Sequence, residues 1–189
     1  NDRIVEKFLS GRFPAKAVAS LRVFLRTSDY PLAVRSSSLL EDASSQPFAG
    51  VYKTYMIPND DPDLDVRLAK LLDTVRMVYA STYRDDAKSY IQSTPNRLEE
   101  EKMAVVIQQI VGRERNGRVY PTFSGVARSH NYYPHGQCGP EDGVCVVGMG
   151  LGRLLVAGEG GVRFCPRRPQ SLPEFSTVDD ILANAQRYF

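Results

Sequence analysis

The segment NDDPDLDVRLAKLLDTVRMVYASTYRDDAKSYIQ, residues 59–92, constrains the fold more than any other stretch. Leu64, Leu68, Leu71, Val75 and Val78 recur at three- and four-residue spacing. That period draws one apolar stripe along a helix and predicts that the stripe is core. Asp61 suits the N-cap and Pro62 the first helical position, where a missing N–H leaves nothing unsatisfied. The run is longer than an ordinary globular helix, so a break near Ser81-Thr82 and two helices are expected.

Two helical patterns precede it. RIVEKFL is followed by PAKAVASLRVFLRTS, where Val18, Leu21 and Leu25 share a face. Pro14 reads as a first-turn proline, and Asp29-Tyr30-Pro31 ends the helix because the residue before proline resists the helical region. PLAVRSS then reads as a short buried strand and GVYKTYMI as a second, rich in β-favouring residues.

Past the charged NRLEEEK the pattern turns to strands. MAVVIQQIV, RVYPTFSGVA and GVCVVGMGLG are β-rich runs separated by turn residues such as Asn116-Gly117 and Pro140-Glu141-Asp142-Gly143. A last strand, VRFCP, and a closing helix from about Thr177 complete the order. Helices first and a mostly antiparallel sheet afterwards make the fold class α+β.

The chain of 189 residues is long enough for one full core or two small lobes. A net charge of +2 supplies no clustered basic footprint, so no nucleic-acid partner is expected. No apolar run approaches the roughly 20 residues of a membrane span, and no signal-peptide pattern opens the chain, so no membrane partner is expected either. The sequence opens Asn1-Asp2-Arg3 and closes on the helical TVDDILANAQRYF. It is therefore read as one nucleotide-binding region, 1–189, excised from a longer chain, with a lobe boundary near 103–111. Cys138, Cys145 and Cys165 are too few and odd in number for a disulfide scaffold, which favours a reducing cytoplasm.

Generic nucleotide motifs fail. There is no G-x-x-x-x-G-K-[ST], and GMGLGRLL lacks the third glycine of a dinucleotide fingerprint, Arg153 or Leu155 standing in its place. Such glycine spacing still permits close approach of an anion or of a second chain segment. A zinc set of His135, Cys138, Cys145 and Cys165 has the wrong spacing for paired ligands, so no metal ligand is assigned. His130 and His135 lie in the turn-rich SHNYYPHG, where a solvated imidazole is the ordinary reading and a phosphohistidine the sharper one.

Taken together, the motifs resemble the N-terminal nucleotide-binding domain of the pyruvate phosphate dikinase and phosphoenolpyruvate synthase family. The family pattern, approximately A-V-R-S-S, then E-D, then F-A-G and a later Thr, is met by Ala33 to Ser37, Glu41-Asp42, Phe48-Ala49-Gly50 and Thr54. MAVVIQQIV is similar to its V-V-Q-x-M-V strand, FSGVARSHNYYP to its S-G-V-x-F-[ST] segment, and GMGLGRLLVAG to its G-L-G-E-x-x-V-x-G. The resemblance runs from about Pro31 to Pro166, and four motifs in one order are specific where each alone is weak.

The resemblance implies an ATP-grasp-like fold, two α+β lobes with ATP between them. It makes Arg35 the catalytic phosphate clamp, with Ser36, Ser37, Ala49, Gly50 and Thr54 around the phosphates. Gln108, Gln109, Ile110 and Val111 become the connector that meets adenine, and Gly150 and Gly152 a close-approach loop. An arginine at the end of a buried strand can fork onto phosphate oxygens in a way lysine cannot. On residue types alone, Arg35 could equally pair with Glu41 or Asp42, and the MAVVIQQIV strand could be simply a central apolar strand. With Ala49-Gly50 as the close-approach turn, Glu41 and Asp42 read better as partners holding the loop than as metal ligands.

The implied partners are ATP, a phosphohistidine domain that receives the phosphate, and a pyruvate-binding domain, both elsewhere in the longer chain. The implied cofactor is Mg²⁺. Its ligands are expected outside this region, because EFSTVDDILANAQRYF does not match the family's acidic D-x-E strand and the family's N-terminal glycine-lysine motif is absent. Arg153 stands where the family has a glutamate, and Glu159 is the nearest acidic residue. Two alternatives stay open: a degenerate ATP-grasp module kept for regulation or interaction, and a related dikinase acting on a glucan or an antibiotic.

Overall fold

The computed structural model describes residues 1–38, 41, 51–92, 101–152, 155 and 160–187. The chain divides into two compact units, Asn1–Ile110 and Val111–Phe189. Both are built of helices and antiparallel strands, so the fold is α+β.

The first unit runs α1 (Asp2–Leu9), α2 (Ala15–Arg26), β1 (Leu32–Ser38), β2 (Tyr55–Ile57), α3 (Leu64–Ser81), α4 (Asp85–Gln92) and β3 (Met103–Gln109). Its sheet has the order β2-β1-β3, with both pairings antiparallel. The apolar stripe of α3 is core as expected. Leu68, Leu71, Val75 and Val78 join Leu25 of α2 and Leu32 and Val34 of β1 in one buried cluster. Val105 and Ile107 of β3 pack against it from the same face of the sheet. Helices therefore cover one face.

Helix starts differ from expectation by a residue or two. Pro14 is the N-cap of α2 rather than its first residue: its ψ of 135° is extended, and its carbonyl accepts from Ala17 and Val18. The helix closes at Arg26, where the Thr27 hydroxyl bonds the Phe24 carbonyl. Asp63, not Asp61, caps α3, accepting from the Asp65 N–H at 2.8 Å. Asp61 instead accepts from the Asp63 N–H at 2.9 Å, so Pro62 sits in the turn before the helix. Asp63→Ala should lower the stability of the first unit by about 1 kcal/mol, read from urea unfolding. Asp61→Ala should cost less.

The break near Ser81-Thr82 is present, since α3 ends at Ser81 and α4 begins at Asp85. Ser81 is buried; its hydroxyl donates to the Val78 carbonyl and accepts from the Lys53 N–H. This ties the end of α3 to the chain entering β2.

The second unit runs β4 (Arg113–Arg115), β5 (Arg118–Tyr120), β6 (Phe123–Arg128), β7 (Val144–Met149), β8 (Val162–Phe164) and α5 (Val178–Asn184). Asn116 and Gly117, with φ of 54° and 72°, make the expected two-residue hairpin turn between β4 and β5. RVYPTFSGVA is not one strand. Pro121 has no N–H to donate, and on either side of it β5 and β6 belong to different sheets. The described strands thus form three antiparallel sheets, not one: β2-β1-β3, β4-β5 and β6-β7-β8. The closing helix starts as expected, with a capping box between Thr177 and Asp180. Among the described residues, no helix is long and apolar enough to cross a membrane.

Candidate nucleotide-binding face

Alternation along β1 separates the residues of VRSSS. Leu32, Val34, Ser36 and Ser38 are buried, whereas Arg35 and Ser37 are exposed on the opposite face. Arg35 stands mid-strand rather than at the strand's end. Pairing fixes its neighbours: Arg35 is opposite Val106, Ser37 opposite Ala104, and Ala33 lies between Gln108 and Met56. Residues opposite each other across antiparallel strands share a face. The face of this sheet opposite the helices therefore collects Arg35, Ser37, Gln108, Val106 and Met56, the last two 37% and 59% exposed. Thr54, immediately before β2, is exposed as well.

Ser36 does not face that surface. It is buried, and its hydroxyl donates to Glu41 Oε1 at 2.8 Å. Glu41 Oε2 accepts from the Ser38 N–H at 2.8 Å, and the Glu41 N–H donates to Ser38 Oγ at 3.1 Å. Glu41 thus holds the turn after β1, as expected, and Ser36 is its anchor rather than a phosphate ligand. The competing reading of Arg35 as an ion-pair partner of Glu41 finds no support. Among the described residues Arg35 makes no ion pair. Asp42, Ala49, Gly50, Arg153 and Glu159 lie outside the described residues.

Gln109 is opposite Leu32 at the end of β3 and is exposed. Ile110 follows the strand, and its N–H donates to the Pro31 carbonyl at 2.9 Å. That donor is therefore engaged within the first unit. Val111, 79% exposed, opens the second unit. Gly150 and Gly152 lie within the second unit, folded against the start of β6. The Gly150 N–H donates to Thr122 O at 3.0 Å, and its carbonyl accepts from Ser124 Oγ at 2.7 Å. A Cβ on Gly152 would stand 3.3 Å from that of Ser124. The glycine spacing serves the approach of a second chain segment here, and the Gly150 N–H is not available to an anion.

Two features escaped the sequence reading. Tyr52 is buried and donates to Glu101 Oε2. Burial first, then the hydrogen bond to the Glu101 carboxylate, hold its phenol well above the usual tyrosine range, so it stays a donor at physiological pH. In the second unit, Arg115, Asn116, Arg118, Val119, Tyr120 and Leu151 line a cleft of about 560 Å³. Strand alternation was the signal for Met56 and Val106. Neither Tyr52 nor the cleft has a local one.

An exposed guanidinium beside amide and apolar side chains has the chemistry to bind a class of anionic ligands, carboxylates and phosphates among them. Comparison with known proteins narrows the class. The chain belongs to the family described as the pyruvate phosphate dikinase AMP/ATP-binding domain, which it matches over residues 1–164. It is 31% identical over 134 residues to the uncharacterized phosphotransferase YvkC of Bacillus subtilis, an alignment covering 71% of this chain and 14% of that protein. It is 28% identical over 129 residues to the phosphoenolpyruvate synthase of Aeropyrum pernix, covering 68% and 13%. The aligned part of the chain therefore spans about one-seventh of these relatives.

Proposed function

We propose that this chain is the ATP-binding part of a dikinase-type phosphotransferase with an ATP-grasp-like fold. In this reading it presents the nucleotide so that a phosphoryl group passes to a histidine on a separate domain. Family membership supports ATP as the ligand, and the much greater length of both relatives supports the presence of acceptor domains outside this region.

The observation that carries the proposal is the placement of Arg35. Its guanidinium is exposed on the sheet face opposite the helices with no ion-pair partner among the described residues, while Glu41, six residues further on, is held by Ser36 and Ser38. Arg35 is the clamp on the phosphate oxygens. Ser37 and Thr54 offer hydroxyls, Gln108 and Gln109 offer amides, and Val106 offers an apolar contact. Ala49 and Gly50 complete the loop in the resemblance. Such a site acts by positioning and charge neutralisation rather than by covalent chemistry.

Mg²⁺ belongs to the proposed reaction, but the described residues do not fit it. The sheet face around Arg35 carries no described carboxylate, and Glu41 is bonded to Ser36 and Ser38, which point to the other face. A hard cation needs several oxygen ligands, and no step is assigned to it here.

Calorimetric titration with Mg-ATP and with adenosine tests the reading. A charge-assisted hydrogen bond is worth about 1.5–3 kcal/mol. Arg35→Ala should therefore weaken ATP binding by about 10- to 100-fold and leave adenosine binding unchanged. Equal ATP affinity in both proteins would remove Arg35 from the site. Absence of ATP binding by the wild-type chain, and by one extended through the acidic strand, would remove the function.

A further inference from the structure

The second unit brings together two thiols and a carboxylate that the proposed function does not use. Cys138 closes a turn in which its N–H donates to the His135 carbonyl at 3.2 Å. Cys165 follows β8, where a bridge to Arg168 and a 3.0 Å bond from the Arg168 N–H to its carbonyl curl the chain tightly. Asp142 ends the 3-10 turn Pro140–Asp142. One ligand atom from each of Cys138, Asp142 and Cys165 lies within 4.8 Å of the other two. Both cysteines are buried and neither is in a disulfide. Cys145 and His135, which residue type alone would group with the two cysteines, are not in this set.

We propose that Cys138, Asp142 and Cys165 bind a thiophilic divalent cation of the zinc type, with the fourth tetrahedral position left to solvent. Ligand atoms around tetrahedral zinc stand roughly 3.5–3.8 Å apart, given bonds of about 2.0–2.3 Å. The present set is close enough to contract to that spacing by side-chain rotation. Two thiolates and a carboxylate carry three negative charges, one more than the cation neutralises. Arg167 offsets the remainder, since its guanidinium bonds Asp142 Oδ1 at 3.0 Å. The Gly139 N–H holds Asp142 Oδ2 at 2.9 Å. Each carboxylate oxygen keeps a second lone pair for the metal, and the outer partners fix its orientation. Binding converts two thiols to metal-bound thiolates and releases two protons to solvent. Thiolates select zinc-type ions over magnesium or calcium. The ion would join the loop before β7 to the turn after β8, two segments of the second unit that are far apart in sequence.

The test uses the reduced, metal-free 189-residue protein and Co²⁺ as a spectroscopic probe. The expected result is a thiolate-to-cobalt charge-transfer band that saturates at one equivalent and disappears on adding one equivalent of Zn²⁺. Cys138→Ser and Cys165→Ser should each abolish the band, and Cys145→Ser should leave it intact. Asp142→Asn should weaken zinc binding by at least about 10- to 100-fold, the range seen on losing even an outer partner. Cys165 is fully buried, so its variant tests folding together with ligation. Thiol alkylation of the wild-type protein supplies an independent readout, in which zinc should slow the labelling of Cys138 and Cys165 together and leave Cys145 unchanged. No thiolate–cobalt band from the wild-type protein, a band that survives Cys138→Ser, or alkylation indifferent to zinc would each overturn the proposal.

Discussion

Leu71→Ala is expected to destabilise the first unit by about 2–5 kcal/mol, the range for leucine truncation in a core that cannot fully collapse. Leu71 is 0% exposed and belongs to the cluster that joins α3 to Leu25 of α2 and to Leu32 and Val34 of the sheet. Urea unfolding, with amide exchange followed in β1 and α3, measures the loss. Val23→Ala is the comparison: Val23 is 60% exposed on α2 and should change stability by no more than about 0.5 kcal/mol. The prediction also couples the core to the ligand. ATP at a hundred times its dissociation constant should return about 2.7 kcal/mol to Leu71→Ala. The same ATP concentration should stabilise Arg35→Ala far less, because that variant has lost the phosphate contact and not the core. A loss below about 1 kcal/mol in Leu71→Ala would mean that the helix is not seated on the sheet as described.

Gly143→Ala is the second large effect, expected at about 2–4 kcal/mol in the second unit. Gly143 has φ 72° and ψ −175°, a region open essentially to glycine alone. A Cβ there would also stand 2.6 Å from the Arg128 carbonyl oxygen, on the backbone that pairs with Val144 at the start of β7. The strand end must shift to admit it. Gly117→Ala is the comparison without the close approach. Gly117 also has φ 72°, but no atom lies within 4 Å of its ideal Cβ, so only the backbone strain of about 1–2 kcal/mol applies. Equal losses in the two variants, read by urea unfolding of the second unit, would show that neither the approach to Arg128 nor the extended ψ of Gly143 adds to the cost of a positive φ.

Much of the first unit was legible because its signals are local. The stripe of Leu64, Leu68, Leu71, Val75 and Val78 needs only the helical period, and the break after Ser81 needs only length. Helix starts were less legible because Asp61 and Asp63 are both competent acceptors; the geometry of the turn, not residue type, chose Asp63. RVYPTFSGVA was read as one strand because periodicity does not register the donor that Pro121 lacks.

The candidate site divides in the same way. The motif that resembles the dikinase family was visible in the residues, and the match over residues 1–164 agrees with it. The roles of individual members were not visible. Ser36 and Ser37 are adjacent and chemically identical, yet a strand sends them to opposite faces, one to Glu41 and one outward. The Ile110 and Gly150 N–H groups looked available until the carbonyls of Pro31 and Thr122 came within reach of them.

By itself the sequence determined the α+β order of elements, the buried stripe of α3, the hairpin at Asn116-Gly117 and the family resemblance, all of which depend on spacing within a few residues or on motifs in order. Tertiary structure alone decided which face Arg35 occupies, that Ser36 turns inward to Glu41, and that Cys138 meets Cys165 and Asp142 while Cys145 does not. Those outcomes depend on strand register and loop closure between distant segments. A one-residue change in pairing would reverse every face, and no local pattern records it.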